Sequence, residues 1–153
     1  MADTPSTNTH HESFEGIRRE DEYGNEFWSA RELAPLLEYP QWRNFVPVID
    51  KARHACERSG NDVADHFADV RKLVGIGSGA QREVPDVHLS RYACYLIVQN
   101  GDPTKPVIAN GQTYFAIQTR RQELEDSEQF TSLSEDEKRL AIRKELIAHN
   151  KYL

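Results

Sequence analysis

LSRYACYLIVQNGDPTKPVIANGQTYFAIQTRRQEL, residues 89–124, is the stretch on which the fold turns. In its first part Leu89, Tyr92, Ala93, Leu96 and Ile97 recur at three- and four-residue spacing, while Cys94, Tyr95 and Val98 make the opposite face apolar too. A helix that is apolar all round belongs in an interior, so this segment is expected to be the core helix. Gly101 suits a left-handed helix end, and Asp102-Pro103 restarts the chain.

The second part sets two rules against each other. Asn110-Gly111 between Val107-Ile108 and Thr113-Tyr114-Phe115 is a strong local hairpin signal, because both central residues tolerate positive φ. Over a longer window Val107, Gly111, Tyr114, Ile117, Arg121 and Leu124 keep helical spacing. Glycine costs a helix about 1 kcal/mol relative to alanine, and is retained where another helix approaches closely. The longer periodicity therefore predicts a helix over 106–124.

Working outward toward the N-terminus, Val84, Val87 and Leu89 on one side and Phe67, Val70, Leu73 and Val74 on the other flank Gly75-Ile76-Gly77-Ser78-Gly79-Ala80. This reads as strand, glycine loop, strand. The loop lacks the Lys-Ser/Thr pair of a nucleotide-binding P-loop, so a hairpin tip is expected. Trp42, Phe45, Val46, Ile49, Ala52 and Cys56 define an amphipathic helix from Gln41 to Arg58, ended by Ser59-Gly60-Asn61. Before it, Ser29 and Glu32 have the spacing of a capping box, opening a helix from Ala30 to Glu38 that Pro35 keeps short or kinked. These two helices and their short turn resemble a helix-turn-helix. Tyr23-Gly24-Asn25 suits the turn of a small hairpin between Phe14 and Trp28. Residues 1–12 hold almost no apolar side chain and are expected to be a disordered tail.

Toward the C-terminus, Ser134 and Glu137 form a second capping box, and Leu133, Leu140 and Ile147 repeat every seven residues amid heavy charge. The helix ends at Tyr152-Leu153 without a terminating glycine or proline, as expected of a longer helix that has been cut. One domain over 13–126 with a charged helical extension over 127–153 follows. Its class is α+β, with short antiparallel hairpins packed against several helices.

Composition narrows the function. With 38% hydrophobic and 29% charged residues the 153-residue chain has the means for one core. Neither a bilayer-spanning run nor a basic-then-apolar leader is present, and Cys56 and Cys94 sit inside apolar periodic segments, which favours reduced thiols and the cytoplasm. Net charge is −6, distributed unevenly: residues 1–26 hold seven acids against two bases, residues 27–121 ten against twelve, and residues 122–153 eight against five. The centre is the basic part.

Catalytic and metal signatures are missing. His54, Cys56, His66, His88 and Cys94 show no metal-ligand spacing, so neither a metal nor another cofactor is expected. A nuclease of the Pro-Asp…Asp-x-Lys type fails because Asp102-Pro103-Thr104-Lys105 is one residue too long after Pro85-Asp86. No serine has the flanking glycines of a nucleophile elbow, and neither cysteine has an electropositive setting. Tyr92, Tyr95 and Tyr114-Phe115 have the spacing of core aromatics, whereas Arg120-Arg121 at a helix end could reach phosphates. The chain is not expected to be an enzyme.

The segments Leu89-Ser90-Arg91-Tyr92-Ala93-Cys94-Tyr95-Leu96, Gln99-Asn100-Gly101-Asp102-Pro103, Lys105-Pro106-Val107-Ile108-Ala109 and Gln112 to Arg121 closely resemble a bacterial family of DNA-damage-inducible proteins, the D type. Trp28-Ser29-Ala30-Arg31, Ala55-Cys56, Asp65-His66-Phe67 and Ile76-Gly77-Ser78 extend the likeness upstream. The resemblance implies a Bro-N-like fold, an α+β module of phage antirepressors and viral Bro proteins, many of them associated with DNA binding. It further implies a place in the SOS response and restraint of the RecA recombinase on single-stranded DNA, with no catalytic residues. The family's proteins continue beyond the position of Leu153, so tasks of their C-terminal part are not expected of this chain.

These readings point to a non-enzymatic cytoplasmic regulator that binds RecA, DNA or both, with no membrane partner. Arg31, Arg43, Lys51, Arg53, Arg91, Lys105, Arg120 and Arg121 are the candidate contact residues. Two alternatives stay open: a sequence-specific antirepressor-like module that reads duplex DNA with the pair 30–38 and 41–58, and a protein-only interaction domain. A hairpin turn at Asn110-Gly111 would contradict the Bro-N-like reading of that segment.

Overall fold

In the computed structural model, which describes residues 13–152 apart from the side chains of 129–131, 142 and 145–152, a helical turn at 13–16 leads into β1 (Arg19–Glu20) and β2 (Glu26–Ser29). The tail expected over 1–12 lies outside the described residues. The first hairpin is present but shorter than predicted, because Phe14 lies in the helical turn rather than in a strand. There its ring stacks on Trp28 with centroids 4.4 Å apart, and its carbonyl accepts the indole N–H at 2.8 Å. The Asp21 carboxylate accepts the backbone N–H groups of Tyr23 and Asn25, both at 2.9 Å, and Gly24 takes φ +80°.

Next come α1 (Ala30–Leu36) and α2 (Trp42–Arg58). Pro35 lies inside α1, which is only seven residues long, as expected of a helix carrying proline past its first turn. The Ser29–Glu32 capping box does not form. Ser29 makes no side-chain cap; its hydroxyl donates to Asp86, and Glu32 is drawn to Arg19 and Lys72. A distant buried carboxylate has outcompeted the local motif.

After a 3-10 turn at Val63–Asp65, β3 (Phe67–Gly75) and β4 (Gln81–Leu89) complete a four-stranded antiparallel sheet of order β1-β2-β4-β3. β3 and β4 stay in register from Phe67 opposite Leu89 to Gly75 opposite Gln81, whereas β2 meets β4 only at Trp28–Leu89 and Ser29–His88. The sheet is thus broad at its root and continues outward as a two-stranded ribbon.

The root packs on α1 and on α3 (Arg91–Gln99), and α2 packs on α3, with Trp28, Phe45, Ile49, Leu89 and Ile97 fully buried. Each such side chain contributes about 1.5–3 kcal/mol of burial free energy. From Arg91 to Val98 no residue of α3 is exposed, so the expected core helix is found, begun by Ser90, whose hydroxyl accepts the Ala93 N–H at 3.0 Å.

Pro106–Ser132 is one helix, α4, and the hairpin alternative at Asn110-Gly111 is absent. Gly111 has the role the periodicity assigned it: a Cβ there would lie 2.7 Å from Val98 Cγ1. Gly101 does not. Its φ is not positive; a Cβ there would meet Ile108 Cδ1 at 2.8 Å, so close packing rather than a left-handed end requires glycine. The chain divides into compact units at 1–111 and 112–153, and α4 continues unbroken past residue 126. In the second unit α5 (Glu135–Tyr152) begins with Ser134 accepting the Glu137 N–H at 3.3 Å.

Candidate nucleic-acid interface

Most of the eight cations chosen from sequence are already occupied. Arg91 donates to Glu26 at 2.9 and 3.2 Å and to Glu15 at 2.7 Å, with its guanidinium 4.9 Å from the Trp28 ring centroid. These bonds, led by that to Glu26, push the Arg91 pKa up, and Arg91 with Arg18 holds the Glu26 carboxyl below its ordinary range. Arg31 donates to the Pro85 carbonyl at 2.6 Å and stacks 4.2 Å over Trp42, where burial lowers its pKa. Lys105 donates to the Glu38 carbonyl at 2.9 Å and lies 4.6 Å over Tyr39. These three stabilise the fold.

Arg53 reaches Asp69 at 2.7 Å and so ties α2 to the root of the ribbon. In the second unit Arg120 pairs with Glu123 at 3.0 Å on an exposed helix surface, an interaction worth little in water. Arg43, Lys51 and Arg121 are exposed and have no side-chain partner among the described residues. Arg43 and Lys51 share the outer side of α2 with His54 and Arg58, and with the acids Asp50 and Glu57 on one flank of it. In the proposed helix pair, α1 contributes little to such a surface, because Ala30, Leu33 and Ala34 are buried and Arg31 and Glu32 are engaged.

Three cations on the ribbon were missed. From Val70 to Arg82 the chain holds Arg71, Lys72 and Arg82 and not one acid, although the whole chain carries −6. Arg71 and Arg82 are exposed without a side-chain partner among the described residues, while Lys72 lies 3.5 Å from Glu32. Side chains alternate across a strand, so Lys72 and Arg82 share one face, and Arg71 shares the other with Leu73. The available signal was the three basic residues flanking the glycine loop, Arg71, Lys72 and Arg82.

Other polar clusters serve the interior. The Ser90 hydroxyl and His66 Nδ1 are 2.7 Å apart, a separation that suits a nucleophile and its base. Ser90 is already accepting the Ala93 N–H as a helix cap, and no hydrogen bond orients the other His66 nitrogen among the described residues. Burial pushes the thiols of Cys56 and Cys94 up, away from the thiolate. Among the described residues no group of three His, Cys, Asp or Glu side chains converges to hold a metal, and no helix is long and apolar enough to cross a membrane.

Comparison with known proteins agrees with this architecture. The chain is 59% identical over 146 residues to DNA damage-inducible protein D of Escherichia coli (strain K12), an alignment covering 95% of this chain and 53% of that protein. The chain thus spans about half the length of that relative. No solved structure matches it. Residues 16–116, which hold the whole sheet, the ribbon, the core helix and the start of α4, match the model of the BRO family N-terminal domain. By that match over more than half its length, the chain belongs to the BRO family through its N-terminal domain.

Proposed function

We propose that this chain is a non-enzymatic regulator of the bacterial DNA-damage response that binds DNA, and the RecA recombinase assembled on it, in the cytoplasm. The observation that carries the reading is the pair of exposed, unpaired guanidiniums Arg71 and Arg82 beside the glycine tip of the ribbon, in a segment from Val70 to Arg82 without an acid, although Asp69 and Glu83 flank it and the chain's net charge is −6. Unpaired guanidiniums on a projecting element suit phosphate oxygens. Arg43 and Lys51 on α2 would extend the contact, and Arg121 is a separate candidate contact within the second unit. Arg31, Arg53, Arg91 and Lys105 support this surface through their intramolecular bonds. A damage-inducible relative supports the setting.

Fluorescence anisotropy with single-stranded and duplex oligonucleotides tests the DNA half. Affinity should fall steeply with salt, each engaged phosphate adding about 0.7–0.9 to the slope of log K against log salt. The double change Arg71→Glu, Arg82→Glu should flatten that slope; salt-independent or absent binding removes this half. Pull-down against RecA with and without single-stranded DNA tests the other: capture with DNA supports it, and failure under both conditions removes it. A motif enriched from a random duplex pool would instead favour the antirepressor-like reading.

A further inference from the structure

We infer that the tip of the β3–β4 ribbon is an apolar wedge for duplex DNA, in which Ile76 enters between base pairs while Arg71, Lys72 and Arg82 hold the flanking phosphates. This rests on the DNA-binding reading above and goes further in naming the contact and the strandedness.

Leu73 and Ile76 are each 59% exposed. Single exposed aliphatic residues are ordinary, and alternation sets Leu73 beside Glu83 on one face, but Ile76 stands at the far end of a ribbon whose other strands have already ended. The tip has a defined shape. Ile76 N–H donates to the Ala80 carbonyl at 3.1 Å and Ala80 N–H to the Gly77 carbonyl at 3.0 Å, while Gly77, Ser78 and Gly79 all take positive φ, at 91°, 55° and 74°. Ile76 is therefore presented from the base of a closed turn.

Gly75 is informative because the fold does not require it. Its φ is not positive and a Cβ would meet nothing within 4 Å, although glycine weakens a strand. A missing side chain there leaves bare backbone beside Ile76, which suits close approach of another molecule. The unpaired cations Arg71 and Arg82 next to the tip suit a polyanion, the acids Asp69, Glu83 and Asp86 lying further toward the root. Strandedness follows from side-chain type. Binding of unpaired bases relies on aromatic rings, and the ribbon from Ala68 to Val87 has none. Proteins that open a base step in a duplex insert aliphatic residues such as Ile and Leu, and a two-stranded ribbon is narrow enough to lie in a groove.

The test uses the full chain and a duplex with 2-aminopurine at an internal step, whose fluorescence rises on unstacking. The wild type should raise it, and Ile76→Ser, a surface change checked for folding by circular dichroism, should abolish the rise while leaving the salt slope unchanged. The double change Arg71→Gln, Arg82→Gln should lower that slope by about 2. Duplex binding with no fluorescence rise, or a rise equal in Ile76→Ser, overturns the wedge and leaves the DNA-binding reading standing. Absence of duplex and single-strand binding by the wild type overturns both. Two further outcomes count against it: an Ile76-dependent affinity confined to single strands, or binding to phosphatidylglycerol vesicles that is lost in Ile76→Ser without duplex unstacking.

Discussion

Asp86 on β4 holds Ser29 and, through it, the start of α1: one carboxylate oxygen accepts the Ser29 hydroxyl at 2.5 Å and the other accepts the Arg31 backbone N–H at 3.0 Å. The second oxygen also accepts the Val87 N–H at 2.8 Å. Asp86 is 2% exposed and Ser29 3%, so deleting the carboxylate leaves donors in a site without water to replace it. Asp86→Ala should cost about 3 kcal/mol, read as a fall in the urea midpoint at constant m-value. Glu32→Ala, which would matter in a capping box, should cost under about 0.5 kcal/mol because its partners are surface cations. Similar costs for the two would refute the assignment.

This pair also shows where sequence reasoning stopped. Ser29 and Glu32 match a local motif, and nothing within a helical turn of them announces that Asp86, 57 positions on from Ser29, will take the hydroxyl. Periodicity did better where burial decided the element: the all-apolar face of 89–98 and the long helix across Asn110-Gly111 are both present. For the cations the limit was similar. Arg31, Arg91 and Lys105 have the right chemistry for phosphate, but their aromatic covers Trp42, Trp28 and Tyr39 come from other elements. The ribbon's Arg71, Lys72 and Arg82 were concealed by averaging, since charge summed over 27–121 mixes them with ten acids.

Arg91 joins Glu15 and Glu26 beneath the Phe14–Trp28 stack, so its loss should loosen the N-terminal segment. Arg91→Ala should cost about 2 kcal/mol near neutral pH, and Arg91→Lys somewhat less, since lysine keeps the charge but not the fork or the stacking. The sign with pH follows from Glu26, whose folded pKa is lowered from 4.5 mainly by its bond from Arg91 and then by Arg18. Its contribution is complete above that ordinary value and is lost as pH falls through the lower folded one. The gap between wild type and Arg91→Ala should therefore narrow below about pH 4.5 in urea titrations. A gap independent of pH would mean that Arg91 acts through packing alone.

Both thiols should be silent in the native state. Cys94 is 1% exposed and Cys56 fully buried, and burial raises both pKa values, with Asp62 and Asp65 adding to the effect at Cys56. Ellman's reagent should label neither at pH 8 without denaturant and both in urea, at a rate set by opening of the core. Fast labelling of Cys94 in the folded protein would contradict its place in the core helix.

Gly111 provides a test whose sign separates two physical effects. Helix propensity alone makes Gly111→Ala stabilising by about 1 kcal/mol. The new Cβ, however, would lie 2.7 Å from Val98 Cγ1, and a β-branched side chain on a helix has little rotameric freedom with which to move aside. Overpacking of this kind costs roughly 1–3 kcal/mol, so Gly111→Ala should be destabilising overall. In a Val98→Ala background the obstructing methyl is gone and the propensity gain should reappear, reversing the sign of the same substitution. A double-mutant cycle by urea denaturation measures that reversal as a coupling energy. Were Gly111→Ala stabilising in the wild-type background, the close approach of α3 to the start of α4 would not be what requires glycine there.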